Sequence, residues 1–113
     1  MDEKRHFYIA VRSDLTLPQQ MCQAVHAAHE AGIRWGDPKS VSSVVVIMVA
    51  NEEQLKKMQD GLEHRRIQSC LFHEPDLGGQ ATALGTEPLD QRSRKILSGY
   101  PLWSFPQEEV PKT

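Results

Sequence analysis

From His6 to Arg12, Phe7, Ile9 and Val11 alternate with Tyr8, Ala10 and Arg12, the two-residue period of a strand with one apolar face. Thr16-Leu17-Pro18-Gln19 then supplies a hydroxyl cap, a first-turn proline and a Gln three residues after the cap, so a helix starts there. Met21, Ala24, Val25, Ala28 and Ala31 recur at three- and four-residue spacing, which predicts that this stripe is buried on the sheet and that the helix ends near Gly32. Trp35-Gly36-Asp37-Pro38 reads as a loop. Ser43 to Ala50 is almost continuously apolar and β-branched, the pattern of a central strand covered on both faces.

The cap-plus-Gln pattern returns at Asn51-Glu52-Glu53-Gln54, and Leu55, Met58 and Leu62 form the narrow seam of a second helix ending near Arg65. Ile67 to Phe72 follows as a strand, Glu74-Pro75-Asp76-Leu77-Gly78-Gly79 as a turn-rich loop, and Ala81 to Thr86 as a short strand. Leu89 to Leu97 predicts a last helix stopped by Gly99 and Pro101, and Pro106 to Thr113 a loose polar tail. The expected fold is α/β: one domain with a core at about residues 6 to 103, a four-stranded mixed sheet flanked by helices, in the order β-α-β-α-β-β-α.

A chain of 113 residues with 39% hydrophobic content has material for one core and no more. The apolar run Val44 to Ala50 is far short of a membrane span, and the charged start is not followed by a signal-peptide core, so a cytoplasmic protein is expected. Cys22 and Cys70 are isolated, which points to two buried thiols rather than a disulfide scaffold or a zinc site. A formal charge of -2 means that any RNA contact must come from a local patch.

Gln23, His26 and Glu30 share one face of the first helix, where Glu30 can bond His26 and fix its tautomer; a histidine satisfied at a helix interface is the plainer alternative. His29 points to solvent. Asp76 lies in a loop between two strands, where it either caps its own turn or orients a water or hydroxyl at the sheet end. No metal is expected, because the histidines lack ligand spacing and no second cluster exists. No cofactor is expected either: Gly78-Gly79 leads into a strand rather than into a helix N-terminus.

Arg12-Ser13-Asp14-Leu15 followed by Gln23-Ala24-Val25-His26-Ala27-Ala28 resembles the Arg-x-Asp-Leu segment and the Gln-Cys-x-His-Ala helix of type-2 peptidyl-tRNA hydrolases. The second helix, the Asp76-Leu77-Gly78 loop and the strand carrying Thr82 resemble that family's later half. The resemblance implies a mixed four-stranded sheet, a possible homodimer, and an esterase that frees tRNA from a prematurely released peptide. It puts catalysis at Gln23, His26, Asp76 and Thr82, and substrate contacts at Arg12, Asp14, Gln19 and Gln80.

Gln19 stands where the family usually has a lysine and Gln80 where it has a threonine, and the loop from Asp76 to Thr82 is short, as in a compact, divergent branch. A competing expectation is a non-catalytic RNA- or protein-binding module on the same fold, with Lys56, Lys57, Arg65, Arg66, Arg92, Arg94 and Lys95 as its basic patch. A regulatory βαββαβ domain is disfavoured by the helix between the second and third strands.

Overall fold

The structure is a computed structural model that describes residues 4–105; the segment expected to be a loose tail lies outside the described residues. Strands β1 (His6–Arg12), β2 (Ser43–Val49), β3 (Ser69–Glu74) and β4 (Gln80–Thr86) form one mixed sheet in the order β2-β1-β4-β3. β1 runs parallel to β2 and antiparallel to β4, which is antiparallel to β3. Two helices, α1 (Leu17–Trp35) and α2 (Glu52–His64), cover the sheet. The α/β architecture and the order of elements are those expected from the pattern.

Two clusters of buried side chains make the core. Ala10, Ile47, Val49 and Leu84 pack with Leu55, Met58 and Leu62 of α2. Phe7, Ile9, Val11 and Ala83 pack with Ala27 and Ala31 of α1. The α2 seam is the one its spacing predicts, and Asn51 caps that helix by accepting from the Gln54 backbone.

The α1 stripe is different. Met21 and Val25 are 71% and 62% exposed, and the buried row is Gln20, Gln23, Ala27 and Ala31. Two glutamines therefore face inward, and each can do so because its amide is satisfied. Gln20 Nε2 donates to the Leu15 and Ser13 carbonyls, and Gln20 Oε1 accepts from Trp103 Nε1 at 2.7 Å. Small alanines complete the row because α1 lies close to β4: a Cβ at Gly85 would stand 2.9 Å from the Ala27 carbonyl oxygen. The helix runs through Gly32 and stops at Gly36, where a Cβ would meet the Gly32 carbonyl oxygen at 2.4 Å.

β2 is an edge strand, not the middle of the sheet. Its continuous apolar run reflects cover of another kind. The segment at residues 101–103 pairs with its outer edge, Met48 N donating to the Pro101 carbonyl and Trp103 N to the Val46 carbonyl. The last expected helix shortens to a 3-10 turn, Ser93–Leu97. Leu89 is committed to a two-bond bridge with His6, and Asp90 then caps the turn by accepting from the Ser93 backbone. β3 begins at Ser69 rather than Ile67, because Ile67 N still closes the end of α2 on the Leu62 carbonyl and Arg66 takes a left-handed φ of 61°.

Candidate functional site

The β3–β4 pairing carries an irregularity between Phe72 and His73: Phe72 pairs with Ala83 and His73 with Ala81, leaving Thr82 as the extra residue of a bulge. Thr82 is fully buried, and its hydroxyl donates to Gln23 Oε1 at 2.6 Å. Gln23 Nε2 in turn donates to Glu74 Oε1 at 2.9 Å. The direction of this relay follows from chemistry. An ionised carboxylate only accepts, so the amide nitrogen must face Glu74 and the carbonyl must face Thr82. The Gln23 bond, with a smaller contribution from the Asp76 backbone N–H, holds the Glu74 carboxyl below its ordinary range.

Glu74 also caps the short 3-10 turn Pro75–Leu77, its Oε2 accepting from Asp76 N at 3.4 Å. Gly78 and Gly79 then adopt φ of 69° and 76°, the left-handed conformations that turn the chain back into β4. A cleft of about 390 Å³ opens between this turn and the first half of α1. It is lined by Pro18, Gln19, Cys22, Gln23, His26, Glu74, Asp76 and Leu77. Four expected site residues, Gln19, Gln23, His26 and Asp76, thus meet in one place.

The other expected residues lie outside the cleft. Thr82 sits behind Gln23, where it orients the amide and has no access to a ligand. Arg12 is buried and fully engaged: its Nε and Nη2 clasp both oxygens of Asp14, and its Nη1 donates to Gln80 Oε1 and to the Ala81 carbonyl. Arg12, Asp14 and Gln80 therefore form a fold clasp joining the end of β1 to the start of β4. Glu52 completes it from the other side by accepting from Ala81 N at 2.9 Å. Together these bonds fix the peptide that precedes Thr82, and with it the start of the relay.

His26 stacks on Phe72, with ring centroids 4.7 Å apart and planes 10° from parallel. Its orientation comes from that stack, whereas Glu30, expected to bond it, pairs with Arg34 one turn on at 2.9 Å. Gln19 accepts from Thr16 N in the capping box and still lines the cleft. Cys22 is exposed, not buried as expected, while Cys70 is buried.

Glu74 is the site residue that sequence reasoning missed. It reads as a loop-opening acid, and the only trace of its role is its place two residues before Asp76. Among the described residues, no three His, Cys, Asp or Glu side chains are grouped to hold a metal ion, and no helix is long and apolar enough to cross a membrane.

No family model matches the chain, and no curated protein matches it. Its fold is similar to that of a protein of unknown function from Agrobacterium tumefaciens, with a TM-score of 0.69 over 92% of this chain and 100% of that one. At 15% identity that likeness concerns the fold alone.

Proposed function

We propose that the chain hydrolyses the ester joining an acyl group to the 3′ ribose of tRNA, with peptidyl-tRNA as substrate. The observation that carries this reading is the relay from buried Thr82 through Gln23 to Glu74, opening onto a cleft that also holds Asp76 and His26. Gln23 Nε2 has two hydrogens, and Glu74 takes one. This reading assigns the second to the oxyanion that forms when an ester carbonyl is attacked.

In the reaction, Asp76 accepts a proton from water, and the water oxygen bonds to the ester carbonyl carbon. Collapse of the tetrahedral intermediate breaks the bond from carbon to ribose oxygen. That oxygen leaves with a proton returned by Asp76 or relayed by His26, and the acyl group departs as a carboxylic acid. Among the described residues neither Lys nor Arg lines the cleft, so charge stabilisation falls to neutral donors. One such donor is worth on the order of 10²–10³ in kcat.

Incubating the protein with peptidyl-tRNA and following release of free tRNA tests the proposal. Asp76→Asn should abolish release. Gln19→Lys, which puts an ammonium one helical turn from Gln23, should raise it. That no Lys or Arg among the described residues lines the cleft also favours a second reading, a binding module without turnover. Under that reading wild type and both variants are equally inactive, and Gln19→Lys only tightens salt-sensitive RNA binding. The basic patch expected for such a module is partly neutralised, since Lys56 and Lys57 pair with Glu52 and Glu53.

A further inference from the structure

We propose that His6 and Arg94 form a pH-dependent latch: the neutral imidazole holds the turn Ser93–Leu97 against the start of β1, and a proton on His6 releases it. The latch stands or falls independently of the proposed ester hydrolysis.

Arg94 Nη1 lies 3.1 Å from His6 Nδ1. A guanidinium only donates and keeps its charge, so Nδ1 must accept with its lone pair. The imidazole is therefore neutral, with its hydrogen on Nε2. A second proton enters at Nδ1 itself, which replaces the acceptor by a donor and sets two cations face to face. Desolvation, then Arg94, then Lys4 lower the His6 pKa from its ordinary 6.5.

The charged groups around His6 do not compensate a proton there. Arg94 comes from the turn and Lys4 from the residues before β1, while β2 presents neutral Ser43 opposite His6. Of the acids flanking Leu89, Asp90 accepts from Ser93 N and interacts with Arg5, and Glu87 accepts from Gln68 N. A histidine with a lowered pKa supports the closed form while it is neutral. The latch is thus complete above the ordinary 6.5 and is lost as pH falls through the lowered value.

The two backbone bonds between His6 and Leu89 do not titrate, so release is confined to the chain beyond them. The turn's own bonds are long: Lys95 N reaches the Arg92 carbonyl at 3.4 Å, and Ser98 N and Tyr100 N reach the Lys95 and Leu97 carbonyls at 3.2 Å. The Asp90 cap and buried Leu97 add to these. Tyr100 leads directly into the segment at residues 101–103, so the latch steadies the near end of the chain that covers the β2 edge.

The test follows wild type, His6→Gln and Arg94→Met by NMR from about pH 8 to about pH 5, the range in which histidine changes charge. It reads the ring nitrogens of His6 and the exchange of the Ser98 and Tyr100 amides, corrected for the intrinsic pH dependence of exchange. Glutamine keeps an acceptor for Arg94 and does not titrate; methionine keeps the stem and removes the cation. We expect neutral His6 to carry its hydrogen on Nε2, to titrate below 6.5, and to move toward 6.5 in Arg94→Met. Opening of the turn should rise on acidification by about tenfold for every pH unit by which His6 titrates below its ordinary value, and His6→Gln should lack that rise. Equal pH profiles of opening in wild type and His6→Gln overturn the latch, as does a hydrogen on Nδ1 or a His6 midpoint that Arg94→Met leaves in place. If Arg94→Met does not fold, the comparison with His6→Gln decides alone.

Discussion

Thr82 shows how one hydroxyl decides a site. It is buried at a bulge, where its position is set by Ala81 on one side and Ala83 on the other, and it gives its only hydrogen to Gln23. Thr82→Val keeps the shape and leaves the Gln23 carbonyl without a donor, at a cost of about 1–3 kcal/mol. Urea denaturation should register that loss, the proposed hydrolysis should fall by up to about 10²-fold, and Thr82→Ser should recover most of both. Asp14 makes a residue-scale prediction of another kind. The bidentate bond from Arg12 is the main cause that holds its carboxyl below the ordinary value, against a smaller opposing effect of burial. A depressed carboxylate stabilises the fold while ionised, so its contribution is complete above the ordinary carboxylate range and is lost as pH falls through the lowered value. Wild type should therefore lose stability more steeply than Asp14→Asn between about pH 5 and pH 2, measured as urea midpoints against pH. The substitution itself should cost about 1–2 kcal/mol at neutral pH, because Arg12 keeps Gln80 and Ala81.

At the scale of elements, α1 is where periodicity and packing part company. Met21 and Val25 of its expected stripe are outward while Ala24, Ala28 and Ala31 pack on the core, and the inward row carries two glutamines whose amides complete the Trp103 anchor and the Thr82 relay. Met21→Gln and Val25→Thr should each change stability by no more than about 0.5 kcal/mol, because both side chains already lie in water. Gly85→Ala should cost about 1–3 kcal/mol, since the new methyl would press on the Ala27 carbonyl and the Ala31 methyl. Thermal melts of the three variants separate the two faces of the helix. If Met21→Gln proves the most damaging, the assignment of the buried face is wrong. α2 had no such conflict: Leu55, Met58 and Leu62 are inward, as their spacing requires, because no polar side chain competes for that face.

At the scale of the molecule, the sheet is closed on its β2 side by a strap rather than by another strand. Trp103 holds the strap with its backbone on Val46 and its indole on Gln20. Trp103→Ala should cost about 2–3 kcal/mol and leave the β2 edge less protected, so the variant should associate as its concentration rises, which sedimentation would detect. The same wide view explains the cleft. Its walls come from the start of α1 and from the turn between β3 and β4, 51 positions apart at the Gln23–Glu74 bond. The central position of β4 brings them together.

The limits of β1, the cap of α1, the α2 seam and the order of elements follow from local causes. Alternation, capping hydroxyls and spacing act within a few residues, and the chain displays them directly. The meeting of Gln23, His26 and Asp76 in one cleft was also legible, through the order of motifs. Four things depended on contacts between distant segments: which strand is central, which face of α1 is buried, the bulge at Thr82, and Glu74 as the partner of Gln23. An apolar run reads the same whether a strand or a strap covers it. A glutamine reads as polar until the structure supplies a buried partner for both ends of its amide. Burial of a polar side chain depends on that partner, and the partner is chosen by the tertiary fold.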